Sequence, residues 1–338
     1  METNWEKENA VSNKTVLVTG VSGYLGLHVA KALLERGYDV RGTIRSASKE
    51  VAVRQALATD SHRLSIAVCD LTSDEGWEEA FQGVDALIHV ASPFILREPK
   101  DEQEYLRPAV EGTLRVMRFA RDAGVTNAVV TSTYLTMAGH MFAGTFGPQD
   151  HTPMDDPSIN AYIRSKVAAE EALWDFVASE ALDMSVSTIH PGAILGPPLG
   201  SDTAGTSVST IRGMITGSVP AIPPISVPMV DVRDVALAHV AAMENPSAGG
   251  QRFAVCHPEP IRYLEVAKSL RSAGYSKVPS REIPEALIRA LAPINRELRS
   301  MKAFLGKSVY ADTSNTTNSL HWKPRPIEQT VLDTAASL

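Results

Sequence analysis

The sequence predicts an α/β protein with a doubly wound parallel sheet and a smaller, mostly helical lobe towards the C-terminus. Three observations predict this fold class. Short runs of β-branched and apolar residues alternate with segments of helical periodicity through residues 14–190. Gly20, Gly23 and Gly26 join the first such run to the first helix. Beyond Pro191, glycine and proline become dense and the alternation is lost, which indicates a change of lobe.

The alternation predicts the elements of the sheet in chain order. The predicted strands are residues 14–19, 39–44, 64–70, 86–91, 128–133 and 185–190. The predicted helices between them are residues 24–36, 76–81, 108–123 and 161–178. Because helices alternate with the strands, the sheet is expected to be parallel.

The later part of the chain predicts a return to the sheet, followed by a second lobe. Residues 230–243 have helical periodicity, and residues 252–255 form a short strand-like run. Residues 261–305 are mostly helical with interruptions, and residues 324–336 predict a terminal helix. The expected organisation is a polar leader at 1–13, a nucleotide-binding sheet domain at 14–190 that segments near 228–256 rejoin, and a substrate lobe at 191–227 and 257–338.

Composition and charge argue against several classes of protein. The chain has 338 residues, a net charge of −7 and no basic run, which argues against a nucleic-acid partner. Its apolar stretches are far shorter than the roughly 20 residues that span a bilayer. Residues 1–13 are polar, unlike a secretory signal. Cys69 and Cys256 lie outside any CxxC or histidine pattern, so no disulfide framework or metal site is predicted. We expect a cytoplasmic protein.

The glycine turn predicts a dinucleotide site. A turn without side-chain bulk lets the backbone approach a pyrophosphate, and the N-terminus of the next helix supplies unpaired N–H donors. A GxxGxxG pattern alone also fits a tight turn, but here it follows a strand and opens a helix, as in a Rossmann-type fold. The residues expected to contact the cofactor along this turn are Gly20, Ser22, Gly23, Tyr24, Leu25 and Gly26.

The end of the second predicted strand favours NADPH as the cofactor. NAD sites typically place an acidic residue there to bind the ribose hydroxyls, whereas NADP sites need positive charge for the 2′-phosphate. This chain has Arg45 instead, with Ser46 and Lys49 close behind it. The alternative is a solvated basic turn.

The ends of two further strands supply more candidate cofactor contacts, because ligands of such sheets bind at the carboxyl ends of the strands. Asp70 and Leu71 are expected near the adenine. The small residues Val90, Ala91 and Ser92 are expected beneath the nicotinamide ribose. For the aspartate, capping of the residues that follow it is the alternative.

A tyrosine and a lysine four residues apart predict the catalytic centre. Tyr162 and Lys166 share one face of a predicted helix, and a nearby cation lowers the pKa of a phenol, which is about 10 when free. A bare YxxxK pattern is common, but this one follows a strand that ends in Thr131, Ser132 and Thr133. Those hydroxyls are suited to bind a carbonyl oxygen next to the tyrosine.

At this point the chain resembles the extended short-chain dehydrogenases/reductases, over about residues 14–335. The resemblance is to the branch of dihydroflavonol reductases, cinnamoyl-CoA reductases and yeast-type aldehyde and methylglyoxal reductases. The stretches that carry it are VTGVSGYLG (18–26), VRGTIR (40–45), DL (70–71), HVASPF (89–94), PAVEGTLRVM (108–117), TST (131–133), YIRSK (162–166), HPGAILGP (190–197) and VDVRDVALAHV (230–240).

The resemblance implies an NADPH-dependent carbonyl reductase. Tyr162 would protonate the carbonyl oxygen, and Lys166 would tune the tyrosine and bind ribose. The serine of the family falls on Thr133, which keeps the hydroxyl and adds a methyl group. The cofactor residues that the family pattern adds to those of the glycine turn are Arg45, Tyr162, Lys166, Pro191, Gly192 and Ile194. Thr131, at the end of its strand, is also expected to contact the cofactor.

The substrate is predicted only by class, as a small carbonyl compound or alcohol with an apolar or aromatic group. Phe94, Met137, Thr133 and Tyr162 are expected to contact it, with ordinary packing as the alternative for the apolar residues. Two other functions stay open: a hydroxysteroid-type dehydrogenase or nucleotide-sugar epimerase of the same family, and a non-enzymatic NADP-binding redox regulator. The protein is expected to be a monomer or a homodimer.

Overall fold

A seven-stranded parallel sheet forms the centre of the computed structural model. The structure describes residues 14–59, 62–92, 101–140, 143–180, 183–200, 205–294, 298 and 304–338, so the predicted leader and Phe94 lie outside the described residues. The strands are β1 (Thr15–Thr19), β2 (Asp39–Ile44), β3 (Leu64–Val68), β4 (Ala86–His89), β5 (Asn127–Thr131), β7 (Ser185–Pro191) and β11 (Arg252–Val255). Their order is β3-β2-β1-β4-β5-β7-β11, and all neighbours are parallel, which confirms the predicted fold class.

Helices and short paired strands surround this sheet. The helices are α1 (Tyr24–Glu35), α2 (Glu50–Ala56), α3 (Trp77–Phe81), α4 (Gln103–Asp122), α5 (Leu135–Ala138), α6 (Ala161–Ser179), α7 (Thr206–Thr216), α8 (Val232–Glu244), α9 (Tyr263–Ser272), α10 (Glu285–Leu291), α11 (Ser314–Leu320) and α12 (Ile327–Ala336). The short strands are β6 (Gly144–Phe146), β8 (Ala193–Leu195), β9 (Ser226–Val227), β10 (Met229–Asp231), β12 (Ile261–Arg262) and β13 (Val309–Ala311). Among the described residues, no helix combines the length and the apolar character that crossing a membrane requires.

The strands of the central sheet are buried on both faces. Along β1, Val16 and Val18 pack into one core with α1 and α8, whereas Leu17 between them packs into a second core with α3, α4 and α6. This follows from the two-residue period of a strand, which sends successive side chains to opposite faces. Near-continuous apolar runs such as this one are typical of parallel strands covered by helices on both sides.

A third core lies apart from the sheet, in the segments that follow β7. Leu195 of β8, Ile211 and Met214 of α7, Leu270 of α9 and Val331 of α12 are all buried in it. These residues come from the region where the sequence loses its alternation. This core gives the segments around β8 apolar packing of their own.

Three predicted boundaries are corrected by hydrogen bonding. The predicted helix 230–243 begins only at Val232, because β10 pairs with β8 and the side chain of Asp231 accepts from the Arg233 N–H at 2.8 Å as the helix N-cap. The predicted strand 86–91 ends at His89. The predicted helix 108–123 begins five residues earlier than expected, so Pro108 lies within α4.

Buried histidines couple the folded state to pH. His239 of α8 has Nδ1 2.8 Å from the Val235 carbonyl, to which it donates, so Nε2 accepts from the Thr131 hydroxyl at 2.8 Å. Burial lowers the pKa of His239 and of His190 to about 4, and burial beside Lys166 lowers the pKa of His89 to about 3. An unfolded histidine titrates near 6.5. These residues therefore contribute stability above pH 6.5 that is lost as the pH falls towards 4.

We expect the free energy of unfolding to decrease from pH 6.5 to pH 4, by about 1.4 kcal/mol per pH unit for each such histidine. Urea unfolding at pH 7.5, 6 and 5 measures this slope. A His239→Gln variant should titrate with about one proton fewer than the wild type. The exposed His62, changed to Gln, serves as the matched control, and an identical slope for both variants would contradict the assignment.

Candidate active site

The candidate site lies where the strand order of the sheet reverses. β1 has β2 on one side and β4 on the other, so the chain crosses to opposite edges from this point. The glycine turn follows β1, and residues 90–92 follow β4, which places the two segments side by side. Such a switch point at the carboxyl ends of the strands is where doubly wound sheets bind their ligands.

The glycines of the turn are required by the backbone around them. Gly20 has φ +68°, in the left-handed region, and a Cβ there would lie 3.0 Å from Cα of Ala91. A Cβ on Gly26 would lie 2.3 Å from the carbonyl oxygen of Gly20. A Cβ on Gly23 would lie 3.3 Å from the same oxygen, so this position is less crowded by the protein itself. Gly26 therefore permits the contact between helix and turn.

The N-terminus of α1 suits a pyrophosphate. Gly23 is its N-cap, the helix has no capping side chain, and its first turn has no acidic residue. The first N–H groups of such a helix are unsatisfied, and the helix dipole adds partial positive charge. Ser22 is half-buried beside them, whereas Leu25 is buried in the protein. The residues present therefore fit the dinucleotide that the sequence predicts.

Tyr24 has a role that the sequence did not reveal. Its hydroxyl donates to the carbonyl of Gly196 at 2.7 Å, and its burial raises the pKa of the phenol. One turn later, Nε2 of His28 lies 3.0 Å from the carbonyl of Pro197. The side chains of α1 thus hold the segment after β8 against the glycine turn. The side chain of Tyr24 is engaged in this way, so the predicted contact of Tyr24 with the cofactor would involve its backbone.

The residues after β2 form an exposed basic turn. Arg45 is exposed and makes no hydrogen bond or ion pair with the part of the chain that the structure describes. Ser46 is exposed, with its hydroxyl 2.8 Å from that of Ser48, and Lys49 is exposed as well. The charge of Arg45 acts on the carboxylate of Asp70 without a hydrogen bond to it, so the N–H groups of the guanidinium are available to a phosphate.

Asp70 is engaged by its own turn. Its Oδ1 accepts from the N–H and the hydroxyl of Thr72 at 2.8 and 2.7 Å, and these bonds lower the pKa of the carboxyl. These bonds correspond to the alternative stated for Asp70, in which its carboxylate caps the residues that follow it. Leu71 is half-buried beside it, and a Cβ on Gly112 of α4 would lie 3.0 Å from the Leu71 Cβ. Adenine contacts by these two residues stay a prediction.

The chain after β4 is shaped by a single hydroxyl of β1. Thr19 Oγ1 accepts from the N–H groups of Val90 and Ala91, both at 3.0 Å. It also lies 2.8 Å from Nδ1 of His89, to which it donates. The strand therefore ends at His89, and Val90, Ala91 and Ser92 are half-buried next to the glycine turn. This brings the predicted ribose contacts to the predicted pyrophosphate site.

The side-chain hydroxyls of Thr133 and Tyr162 face each other, close enough for Thr133 to act on the pKa of the phenol. Thr133 follows the end of β5, and Tyr162 lies in the first turn of α6, whose N-cap Asn160 accepts from the N–H of Ile163 at 2.9 Å. Lys166, one turn further along the same helix, is half-buried. The structure therefore brings the three predicted catalytic residues together.

The pKa values of the two titratable groups differ from the simple expectation. Burial raises the pKa of Tyr162 and the hydrogen bond from Thr133 opposes the rise, so the chain without cofactor does not show the lowering expected from Lys166. Burial lowers the pKa of Lys166 to about 8, and the charge of Glu170 opposes that fall. The lysine is thus still mainly an ammonium at neutral pH.

The neighbouring hydroxyls of the TST stretch point elsewhere. The Thr131 hydroxyl donates to His239, and the Ser132 hydroxyl donates to Oε2 of Glu170 at 2.6 Å. Of these three hydroxyls, that of Thr133 lies beside the tyrosine. The three consecutive hydroxyl residues alone did not show which of them would do so. A cofactor contact by Thr131 stays a prediction for its backbone.

Pro191, Gly192 and Ile194 continue from β7 into β8 at the same edge of the sheet. The Pro191 carbonyl accepts from the Tyr134 N–H at 2.9 Å, close to Thr133. A Cβ on Gly192 would lie 2.4 Å from the carbonyl oxygen of Pro228. Ile194 is half-buried. The chain thus passes the predicted catalytic residue Thr133 here, and contacts with the nicotinamide stay a prediction.

The predicted apolar substrate contacts are corrected in part. Met137 is fully buried and packs in the main core, so it offers no surface to a substrate. Ordinary packing, the alternative stated for it, explains this position.

A buried polar network behind the catalytic residues was missed by the sequence analysis. Its centre is Glu170, 7 % exposed, whose Oε1 accepts from Nε of Arg252 at 2.7 Å and lies 3.5 Å from Nε2 of His190. Glu170 follows Lys166 by four residues, as Lys166 follows Tyr162. That spacing was a readable signal, because it places all three on one face of a helix.

These observations define a dinucleotide-dependent enzyme of the Rossmann type, and comparison with known proteins identifies the family. Residues 16–256 match the model of the NAD dependent epimerase/dehydratase family, so the chain belongs to that family. The predicted resemblance to the extended short-chain dehydrogenases/reductases, and to their cinnamoyl-CoA and methylglyoxal reductase branch, is confirmed.

Individual relatives place the chain among oxidoreductases. Cinnamoyl-CoA reductase 1 of Arabidopsis thaliana is 34% identical, over 78% of this chain and 73% of the relative. A putative NADPH-dependent methylglyoxal reductase of Candida albicans is 31% identical, over 72% of this chain and 77% of the relative. The solved structure of yeast methylglyoxal/isovaleraldehyde reductase Gre2 complexed with NADPH has a TM-score of 0.80 and 23% identity, covering 96% of this chain and 97% of that one, which shows a shared fold. The chain is an oxidoreductase.

Proposed function

We propose that this protein is an NADPH-dependent carbonyl reductase, which converts a small aldehyde or ketone into the corresponding alcohol in a reversible reaction. The approach of the Thr133 and Tyr162 hydroxyls, with Lys166 one helical turn from the tyrosine, carries the proposal. Lys166 lines one cavity together with Ala91 and Ser92 of the predicted nicotinamide segment, which supports it. The names of the relatives, which include reductases of cinnamoyl-CoA and methylglyoxal, support the same class.

NADPH is the cofactor, on three grounds. The glycine turn and the N-terminus of α1 fit a pyrophosphate, and the exposed Arg45 is free to bind the 2′-phosphate. A relative 31% identical is named as NADPH-dependent. When bound, NADPH supplies the hydride that reduces the carbonyl carbon.

The residues of this chain perform the rest of the reaction. Thr133 donates a hydrogen bond to the carbonyl oxygen, which draws electron density from the carbon. Tyr162 gives its proton to the same oxygen as the carbon is reduced, so the product leaves as an alcohol. Lys166 binds the ribose hydroxyls, and its positive charge stabilises the phenolate that remains. The phenolate regains a proton from solvent before the next cycle.

The proposal is tested by following the loss of NADPH absorbance with a panel of aldehydes, aryl ketones, flavanonols and steroid ketones. We expect turnover with at least one aldehyde or ketone and formation of the matching alcohol. Tight NADPH binding without turnover across the panel would contradict the proposal and favour a redox regulator.

The choice of NADPH over NADH gives a separate prediction. Arg45→Asp should lower kcat/KM for NADPH by about 10- to 100-fold, because a charged hydrogen bond to the 2′-phosphate is lost. kcat/KM for NADH should stay equal or rise. Arg289→Asp makes the same charge change at an exposed position of α10 and should leave both constants unaltered. An unchanged NADPH-to-NADH ratio in the Arg45 variant would contradict the assignment.

A further inference from the structure

The carboxylate of Glu170 connects the two elements that carry the catalytic residues. It lies on α6, one turn after Lys166, and it is bound by the side chain of Ser132, the residue before Thr133. On its far side it is bound by Arg252 of β11. Both partners thus bind one buried group that takes no part in the proposed proton transfer.

We propose that Glu170 is a positioning residue for the reductase site, which fixes the Thr133 segment through Ser132 and keeps the half-buried Lys166 as an ammonium. The second role rests on the proposed function, because it concerns the lysine that binds the ribose. Glu170 touches neither Tyr162 nor the predicted substrate position in any contact that the structure gives.

The first role follows from hydrogen bonds on both sides of Thr133. The preceding hydroxyl, that of Ser132, donates to Glu170 at 2.6 Å. The Thr133 carbonyl itself accepts from the Thr136 hydroxyl at 2.9 Å and lies 3.2 Å from Nδ1 of His190. The backbone around the catalytic hydroxyl is therefore held at two points, and one of them is the carboxylate.

The second role follows from the charges that face Lys166. Lys166 and Glu170 line one partly open cavity of about 20 Å³, room for a single water molecule. Besides Lys166 and Glu170, the one titratable residue among the described residues that line this cavity is His89 of β4, which is neutral at pH 7. The neighbouring elements contribute uncharged groups, which are Ala109 and Thr113 of α4, Thr131 and Ser132 at the end of β5, and Thr188 of β7. Glu170 is thus the one anion among the described residues that line this cavity.

The carboxylate is kept ionised by its own partners. Burial alone would raise the pKa of Glu170, but the charges of His190 and Arg252, with the hydrogen bond from Ser132, lower it to about 2. Because His190 is neutral at pH 7, Arg252 is the cation that acts there. Burial has moved the pKa of Lys166 down to about 8 despite Glu170, so loss of this anion would bring it close to neutrality.

The test measures the pKa of Lys166 directly in the protein without cofactor. Competitive acetylation with acetic anhydride between pH 6 and 10, read by mass spectrometry, gives the fraction of neutral amine at Lys166. Glu170→Gln keeps a side chain of the same shape and removes the charge, so we expect the pKa of Lys166 to fall by about one unit. The dissociation constant of NADPH, from nicotinamide fluorescence, should then rise several-fold at pH 8 and little at pH 6.5.

Two further variants separate the two roles. Ser132→Ala removes the hydrogen bond and keeps the charge, so it should lower kcat without moving the pKa of Lys166. Glu171→Gln, at the exposed next position of α6, should change neither quantity. If Glu170→Gln does not fold, the neutral pair Glu170→Gln with Arg252→Gln replaces it, since that pair leaves no buried charge unpaired.

An unchanged pKa of Lys166 in the neutralised variant would overturn the electrostatic role. An unchanged kcat in Ser132→Ala would overturn the role in placing Thr133. Acetylation needs neither cofactor nor substrate, so absence of carbonyl turnover in the wild type would refute the proposed function and leave this measurement intact.

Discussion

Replacing Tyr162 by Phe is expected to lower kcat by about 10²- to 10⁴-fold, because the reaction then lacks its general acid. The ring and its packing remain, and Thr133 and Lys166 keep their places. NADPH should therefore still bind, with a dissociation constant within a few-fold of the wild type. Single-turnover kinetics with pre-bound NADPH separates this loss of chemistry from a loss of binding.

Tyr310→Phe is the matched control for this experiment. Tyr310 lies on β13 and is 44% exposed. Its backbone carbonyl, rather than its phenol, accepts a hydrogen bond from the hydroxyl of Tyr134. The control should show wild-type kcat and KM. Turnover by the Tyr162 variant at the wild-type rate would rule out the phenol as the proton donor.

Replacing Gly26 by Ala is expected to disrupt the dinucleotide site and the fold around it. The new methyl group would lie 2.3 Å from the Gly20 carbonyl oxygen and 3.0 Å from Cα of Val21. All of these atoms are backbone, so relief requires α1 to move away from the turn. We expect a loss of about 3 kcal/mol or more in the free energy of unfolding, at or above the usual upper limit for overpacking.

NADPH affinity should fall together with stability in that variant, because the N–H groups of α1 would move away from the pyrophosphate. Thermal unfolding and fluorescence titration measure the two effects. Gly205→Ala adds the same methyl group where the nearest atom, Cδ1 of Tyr24, is 3.8 Å away, and it should be tolerated. Wild-type stability and affinity in the Gly26 variant would contradict the packing described for the turn.

The fold class followed from the sequence because periodicity records which faces are buried, and a sheet covered on both sides has a strong periodic signal. The boundaries of the helices and strands were predicted less well. The β10 strand that precedes α8 is three residues long, and its apolar residues continue the helical pattern into Asp231. Only its pairing with β8 distinguishes it, and such pairing is not a local property of the chain.

The candidate site was predicted where its residues lie in one motif and missed where they come from distant ones. Tyr162 and Lys166 share a helix face, so their spacing revealed them. Glu170 shares the same face, but its ionisation depends on Arg252, which is 82 residues away. Met137 shows the converse error, since an apolar residue near the site has the same sequence signal whether it packs into the core, as it does in α5, or faces a substrate.

One hydroxyl determines the spacing of the cleft between the glycine turn and the chain after β4. Thr19 binds two consecutive amides and a histidine ring, so three polar groups depend on one oxygen atom. Valine has the same shape but would leave both amides unpaired in a dry position, a defect that packing does not repair. Any redesign of this protein for a bulkier or different nucleotide therefore has little freedom at position 19, where serine would keep the hydroxyl but lose the buried methyl group. The adaptable positions lie at the rim of the cleft, on the exposed turn after β2.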